Sequence, residues 1–191
     1  MSKEMTSTGL DPIAEARRQW VEHGWDEAAT GMAAVTTITR VQQILENRVE
    51  VALSPFGLSF SRFEILRLLG FTRVGRLPMG KISDRLQIHP ASVTSAVKRL
   101  EREGLIERVS HPDDNRIVLA VLLDRGRRLL EPATEAVNEV FANMGLDDRE
   151  LDRLIDLMTP IRTVAGDVIA PRTSHMRLRD VDPSSPSGGD D

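Results

Sequence analysis

Ser92, Thr94 and Ser95, followed by Lys98 and Arg99, set small hydroxyls ahead of two cations in one short run. Hydroxyls donate to and accept from base edges, while ammonium and guanidinium groups meet phosphate oxygens. The order therefore suits a helix that enters a major groove by its N-terminal end. Farther along, Asp114 and Arg116 stand two apart, which in an extended segment turns both side chains to one side. A carboxylate beside a guanidinium holds it in one rotamer, and an Arg so held near a hairpin tip fits a narrow, electronegative minor groove. Each pattern also has an ordinary reading. Amphipathic surface helices carry Ser and Arg on their wet face, and an isolated D-x-R pair is more often a solvated ion pair.

The elements that must position these residues lie between Met79 and Leu122. A short helix is followed by a turn at His89-Pro90, and Pro90 suits a first helical turn because its missing N–H has no partner there anyway. From Ser92 to Arg102, Val93, Val97 and Leu100 recur on one helical face and leave the hydroxyls, Lys98, Arg99 and Arg102 wholly or partly off it. Gly104 ends that helix. Two β-prone runs follow, Leu105 to Val109 and Ile117 to Leu123, around a polar tip at Ser110–Arg116. A helix-turn-helix followed by a β-ribbon is a device for gripping duplex DNA.

These residues resemble a MarR-type winged-helix transcription regulator from about Met32 to Val168. The resemblance is carried by GLSFSRFEILRLL (Gly57 to Leu69), ISDRL (Ile82 to Leu86), SVTSAVKRLEREGLIER (Ser92 to Arg108), DDNR (Asp113 to Arg116) and LLDRGRRLL (Leu122 to Leu130). It implies a homodimer on a pseudopalindromic operator, with the second helix of each motif in the major groove and the wing pair Asp114 and Arg116 at the flanking minor groove. The family usually has Leu-Thr where this chain has Leu123-Asp124, and Asp also caps helices. It further implies response to a small, often anionic aromatic ligand at the junction of the dimer helices and the winged unit, here Trp20, Trp25, Arg40, Phe63 and Arg67. A urate-responding subgroup has a Trp-bearing N-terminal extension, but this chain has Glu64 where that group has Asp and Ala96 where it has Arg.

Composition bounds the remaining classes. The chain has 191 residues, 40% hydrophobic and 28% charged, enough for one compact domain with an appended element. Its net charge of −4 argues against binding nucleic acid by bulk charge. Between Lys81 and Arg128, however, ten Lys and Arg face seven acids, a local positive excess. With no cysteine there is no disulfide, thiol switch or Cys-based zinc site. The four histidines are scattered, and His111 with Asp113 and Asp114 is a poor metal cage, so neither metal nor cofactor is expected. No catalytic trio or phosphate loop is visible, which points away from an enzyme. No apolar run is long enough for a membrane span and no secretory signal is present, so a cytoplasmic location is expected.

The expected fold is mainly α with a small β-wing. It divides into a flexible tail at 1–10, an N-terminal extension and first dimerisation helix at 11–56, a winged helix-turn-helix domain at 57–123, dimerisation helices at 124–170 and a disordered tail at 171–191. Asp11, Asp26, Ser59, Asp124 and Asp147 are the expected helix caps, and Pro78 opens the short helix. Pro132 should bend or split the helix after the wing, which is expected to reach about Met144, and Pro160 should disturb the end of the last one. Met32, Val35, Ile38, Val41, Ile44, Leu45, Val49 and Ala52 form a stripe on one long helix, and Leu151, Leu154, Ile155, Met158 and Ile161 another. Such outer stripes are expected to pack against a second copy, with packing inside one chain as the alternative. Trp20 and Trp25 either stack on a ligand or anchor the extension. The partners expected are double-stranded DNA, a second copy and a small-molecule effector, with no membrane. A winged helix that scaffolds another protein without binding DNA is the rival reading.

Overall fold

Asp11 accepts the Ile13 N–H at 2.9 Å as the N-cap of α1 (Pro12–Glu22). The computed structural model describes residues 9–169. The tail expected to be disordered, 171–191, and most of the tail expected to be flexible, 1–8, lie outside the described residues. Arg18 pairs with Glu15 at 2.5 Å and with Glu22 on the same face of α1. A turn at Gly24 returns the chain into α2 (Asp26–Leu53), 28 residues and hence about 42 Å long. Asp26 is not its cap. The cap position is Trp25, which makes no side-chain bond, and Asp26 is the first helical residue, where its charge still favours the helix N-terminus. A 3-10 turn (Ser54–Phe56) ends α2.

The winged unit follows as α3 (Phe60–Phe71), β1 (Arg76–Pro78), α4 (Met79–Leu86), α5 (Pro90–Arg102), β2 (Ile106–His111) and β3 (Asp114–Leu122). The sheet order is β1-β3-β2, all antiparallel, with Leu77 opposite Ala120 and Arg108 opposite Ala120 on the other edge. β1 was not expected, because three residues containing Pro78 carry no strand signal of their own and pair only through β3. The wing strands also run past their apolar stretches, which shortens the tip to Pro112-Asp113. Ser59 occupies the N-cap position of α3, as expected, and its carbonyl accepts the Phe63 N–H at 2.9 Å, but its side chain makes no capping bond. Glu50 Oε1 accepts the Phe60 N–H at 2.9 Å instead, and the Ser59 hydroxyl accepts from Arg62 Nε at 3.2 Å.

α6 (Asp124–Ala142) and α7 (Asp148–Val164) complete the chain. The cap of α6 is Leu123, so Asp124 is its first helical residue and makes no capping bond. Pro132 lies inside α6 and Pro160 inside α7, yet neither helix is interrupted: each proline removes one N–H rung, and the neighbouring rungs persist. Asp147 and Glu150 form a reciprocal capping box on α7, both bonds at 2.9 Å. Gly126 lets α6 approach the wing base, since a Cβ there would stand 2.3 Å from the Leu105 carbonyl oxygen.

The core belongs to the winged unit. Leu53, Ile65, Leu66, Leu69, Ile82, Val93, Val97, Leu100 and Ile106 are fully enclosed, with Val137 of α6 among them. Outside it, Val35, Ile38, Val41 and Ile44 of α2 and Ile155, Leu157 and Ile161 of α7 are exposed. Among the described residues, no helix is long and apolar enough to cross a membrane.

Candidate nucleic-acid interface

The turn before α5 is built from Ser83. This buried side chain donates from Oγ to the Ile88 carbonyl at 2.6 Å while its own carbonyl accepts the Ile88 N–H at 3.3 Å. Gln87 takes a left-handed conformation there, φ 54°, unusual for a residue with a Cβ. His89 then caps α5, its Nδ1 accepting the Ala91 N–H at 3.2 Å. At the other end Gly104, φ 67°, closes α5 with paired bonds from Gly104 N–H to the Glu101 carbonyl and Leu105 N–H to the Leu100 carbonyl.

Between these caps Val93, Val97 and Leu100 are buried, and Ser92, Ser95, Lys98 and Arg99 face outward. Thr94 is half-buried and donates to the Pro90 carbonyl at 2.9 Å, so its hydroxyl is left as an acceptor and its methyl as an apolar contact. Arg99 is not free for phosphate alone, since its Nε donates to Glu103 at 3.1 Å.

On the wing, Asp114 and Arg116 form the expected pair. Asp114 Oδ1 accepts from the Arg116 backbone N–H at 3.0 Å and from its Nε at 3.1 Å, and Oδ2 accepts from NH2 at 3.3 Å. These bonds hold the Asp114 carboxyl below its usual range, while the Arg116 guanidinium stays exposed. Sheet register explains the presentation. Ser110 pairs with Val118 and His111 with Asp114, so Asn115, Arg116 and Ile117 bulge out of the ladder.

A cleft of about 610 Å³ separates wing from helices, and Thr94 and Arg116 line it together with Lys81, Asp84 and Arg108. Lys81 and Arg108 were not singled out from the sequence. Their signal was the local positive excess, which says nothing about which cations converge. Arg108 is braced by Glu101, whose oxygens accept its backbone N–H at 3.2 Å and its Nε at 2.8 Å. Arg62 was missed too: it is buried, donates to both Glu103 oxygens at 3.0 and 2.9 Å and to the Gly57 carbonyl at 2.7 Å, and so ties the end of α5 to the start of α3.

The five residues assigned to a ligand pocket are dispersed. Trp20 and Trp25 stack edge to face at 5.4 Å beside His23 on the α1–α2 turn, and Arg40 is exposed on α2. Phe63 is part of the core. Arg67 lies over Phe71, 4.4 Å from the ring centroid, and donates to Thr134 at 3.3 Å. Its buried Nε has no partner among the described residues, and burial lowers its pKa. No cluster of three or more metal-ligating His, Cys, Asp or Glu side chains occurs among the described residues.

The family model described as MarR family matches residues 58–118, the unit just described. The HTH-type transcriptional regulator YdgJ of Bacillus subtilis is 32% identical over 118 residues, covering 60% of this chain and 70% of that protein. Among solved structures, Sco5413, a MarR family transcriptional regulator from Streptomyces coelicolor, is 40% identical with a TM-score of 0.65, covering 72% of this chain and 96% of that one. Sco3205 from the same organism, solved in complex with DNA, shares the fold at 22% identity and a TM-score of 0.63, over 70% of this chain and 86% of that one.

Proposed function

This chain belongs to the MarR family of transcriptional regulators, and on that premise we propose that it is a sequence-specific repressor that grips a pseudopalindromic operator as a homodimer. The carrying observation is the arrangement of the two reading elements. α5 turns Ser92, Ser95 and Lys98 outward, and Asp114 fixes the exposed Arg116 beside the same cleft. Ser92, Thr94 and Ser95 contact base edges, Lys98 and Arg99 meet phosphates, and Arg116 enters the minor groove, oriented by Asp114. Lys81 and Arg108 add charge to the cleft wall.

Dimerisation supplies the second reading head. The exposed apolar stripes of α2 and α7 are the surfaces for it, and the Trp20–Trp25 pair anchors the extension beside them. A dimer places two recognition helices one duplex turn apart, about 34 Å. Occupied DNA near a promoter excludes transcription, and an anionic aromatic ligand beside Arg67, with its buried unpartnered Nε, releases it.

A gel shift with the DNA upstream of the protein's own gene tests this reading. Retarded migration at low salt that disappears when Lys98 and Arg116 are both replaced by Ala supports the regulator. No shift at low salt would sink it and favour a winged helix that scaffolds another protein.

A further inference from the structure

Two carboxylates near the end of α5 each hold a cation of the reading head, and they hold them differently. Glu101 accepts from the Arg108 backbone N–H and Nε and has no second cationic partner among the described residues, so that pair is neutral. Glu103 is shared. Arg62 NH1 donates to both of its oxygens and Arg99 Nε to one of them at 3.1 Å, which leaves the trio with a net positive charge. The two arginines differ in exposure. The Arg62 side chain is 9% exposed and is pinned on its other sides, Nε to Ser59 Oγ at 3.2 Å and NH2 to the Gly57 carbonyl at 2.7 Å, whereas the Arg99 side chain is 59% exposed. Arg99 stands four residues after Ser95 and seven after Ser92, on the outward face of α5. It also lines a groove of about 640 Å³ with Arg125 and Arg128, where Glu103 is the carboxylate among the lining residues. Like charge there favours departure of the exposed guanidinium toward an outside anion.

A buried guanidinium keeps its carboxylate, because stranding a buried charge costs more than parting an exposed pair. An Arg–Glu pair at i,i+4 with the acid on the C-terminal side is, besides, the weaker orientation on a helix. Arg62 therefore satisfies Glu103 from inside the protein, and Arg99 can leave Glu103 without stranding it. We propose that Arg62 is a positioning residue for DNA binding: by neutralising Glu103 it frees Arg99 to meet a backbone phosphate. Without Arg62, Glu103 and Arg99 would form a closed neutral pair like Glu101 and Arg108, and a phosphate would compete with a carboxylate for a single cation. This role rests on the reading of Arg99 as a phosphate contact.

Titration of the full-length protein with the duplex upstream of its own gene, over a series of salt concentrations, tests this role. Arg62→Met is expected to weaken binding about threefold to tenfold and to lower the slope of log affinity against log salt by about one, as for one lost phosphate contact. Arg99→Ala is expected to lower the slope equally, and Arg62→Met added to it to lower the slope no further. Glu103→Gln added to Arg62→Met removes the competing carboxylate and is expected to restore the wild-type slope. Thermal melting verifies that each variant is folded, and Arg62→Gln serves if Arg62→Met is not. An unchanged slope in Arg62→Met, an equal further loss in the Arg99→Ala background, or a slope that Glu103→Gln does not restore overturns the proposal and leaves Arg62 a structural tie only. If the wild type binds no DNA, the regulator reading fails by itself, and the Arg99 Nε–H, followed by NMR in the free protein, still judges the pairing. Its exchange with solvent is expected to slow about twofold or more in Arg62→Met. Equal exchange in the two proteins overturns the proposal.

Discussion

The winged unit and the helices that flank it are both amphipathic, but only one of them closes its apolar face. Val93, Val97 and Leu100 of α5 are each buried, whereas α7 has no buried residue and leaves Leu157 and Ile161 about three-fifths exposed. The difference lies in what surrounds them. α5 is enclosed by α3, α4 and the sheet within one chain, while among the described residues nothing covers the exposed stripes of α2 and α7. These exposed apolar side chains are the surface that the proposed dimer would bury. On the proposed reading, the same hydrophobic periodicity builds a reading head in one region and a docking face in the other.

The sharpest way to break that comparison is to charge the outer face. Leu157→Asp with Ile161→Asp is expected to convert a dimer into a monomer at micromolar concentration in sedimentation and to weaken operator binding about a hundredfold or more, since each head then binds without its tethered twin. Helical content measured by circular dichroism should persist, and an unchanged sedimentation profile would refute the docking role. At the joint between the two regions, Gly126→Ala forces a Cβ onto the Leu105 carbonyl and is expected to cost about 1 to 3 kcal/mol in urea denaturation. Within the reading head, Arg116→Ala should remove about 1 to 3 kcal/mol of DNA affinity and leave the dimer and the melting temperature intact. A DNA titration indistinguishable from wild type discards the wing assignment.

The smallest effect is expected at Glu64, which is half-buried on α3, so that desolvation raises its pKa above 4.5. The folded chain then holds more protons than the unfolded chain just above pH 4.5, so stability falls as pH rises from there through the raised value and stays lower beyond it. Glu64→Gln should flatten that decline and slightly raise the melting temperature at pH 7. A variant with the wild-type pH profile shows that Glu64 does not carry it.

Much of the reading head was legible because its signals are local. Helical spacing marked the buried face of α5, Pro90 and Gly104 marked its ends, and the two-residue spacing of Asp114 and Arg116 anticipated their pairing. Caps were legible only where the side chain had no better use. Asp11 and Asp147 cap as expected, but the Ser59 hydroxyl is taken by Arg62, and Asp26 and Asp124 each enter their helix one residue early. The candidate ligand residues did not converge, because a resemblance fixes positions along a chain and says nothing about which of them share a cavity. Phe63 went to the core and Trp20 to its own turn.

The chain itself therefore determined element types, their order, and the face each helix hides, since propensity, capping and periodicity act over a few residues. Tertiary structure decided the contacts between residues far apart in sequence. It paired Arg62 with Glu103, gave Pro78 a strand, set Lys81 and Arg108 beside Arg116, and gathered Arg99, Arg125 and Arg128 around one groove. Those contacts depend on how packed helices and strands are oriented, a choice made by burial of the whole core rather than by any segment of it.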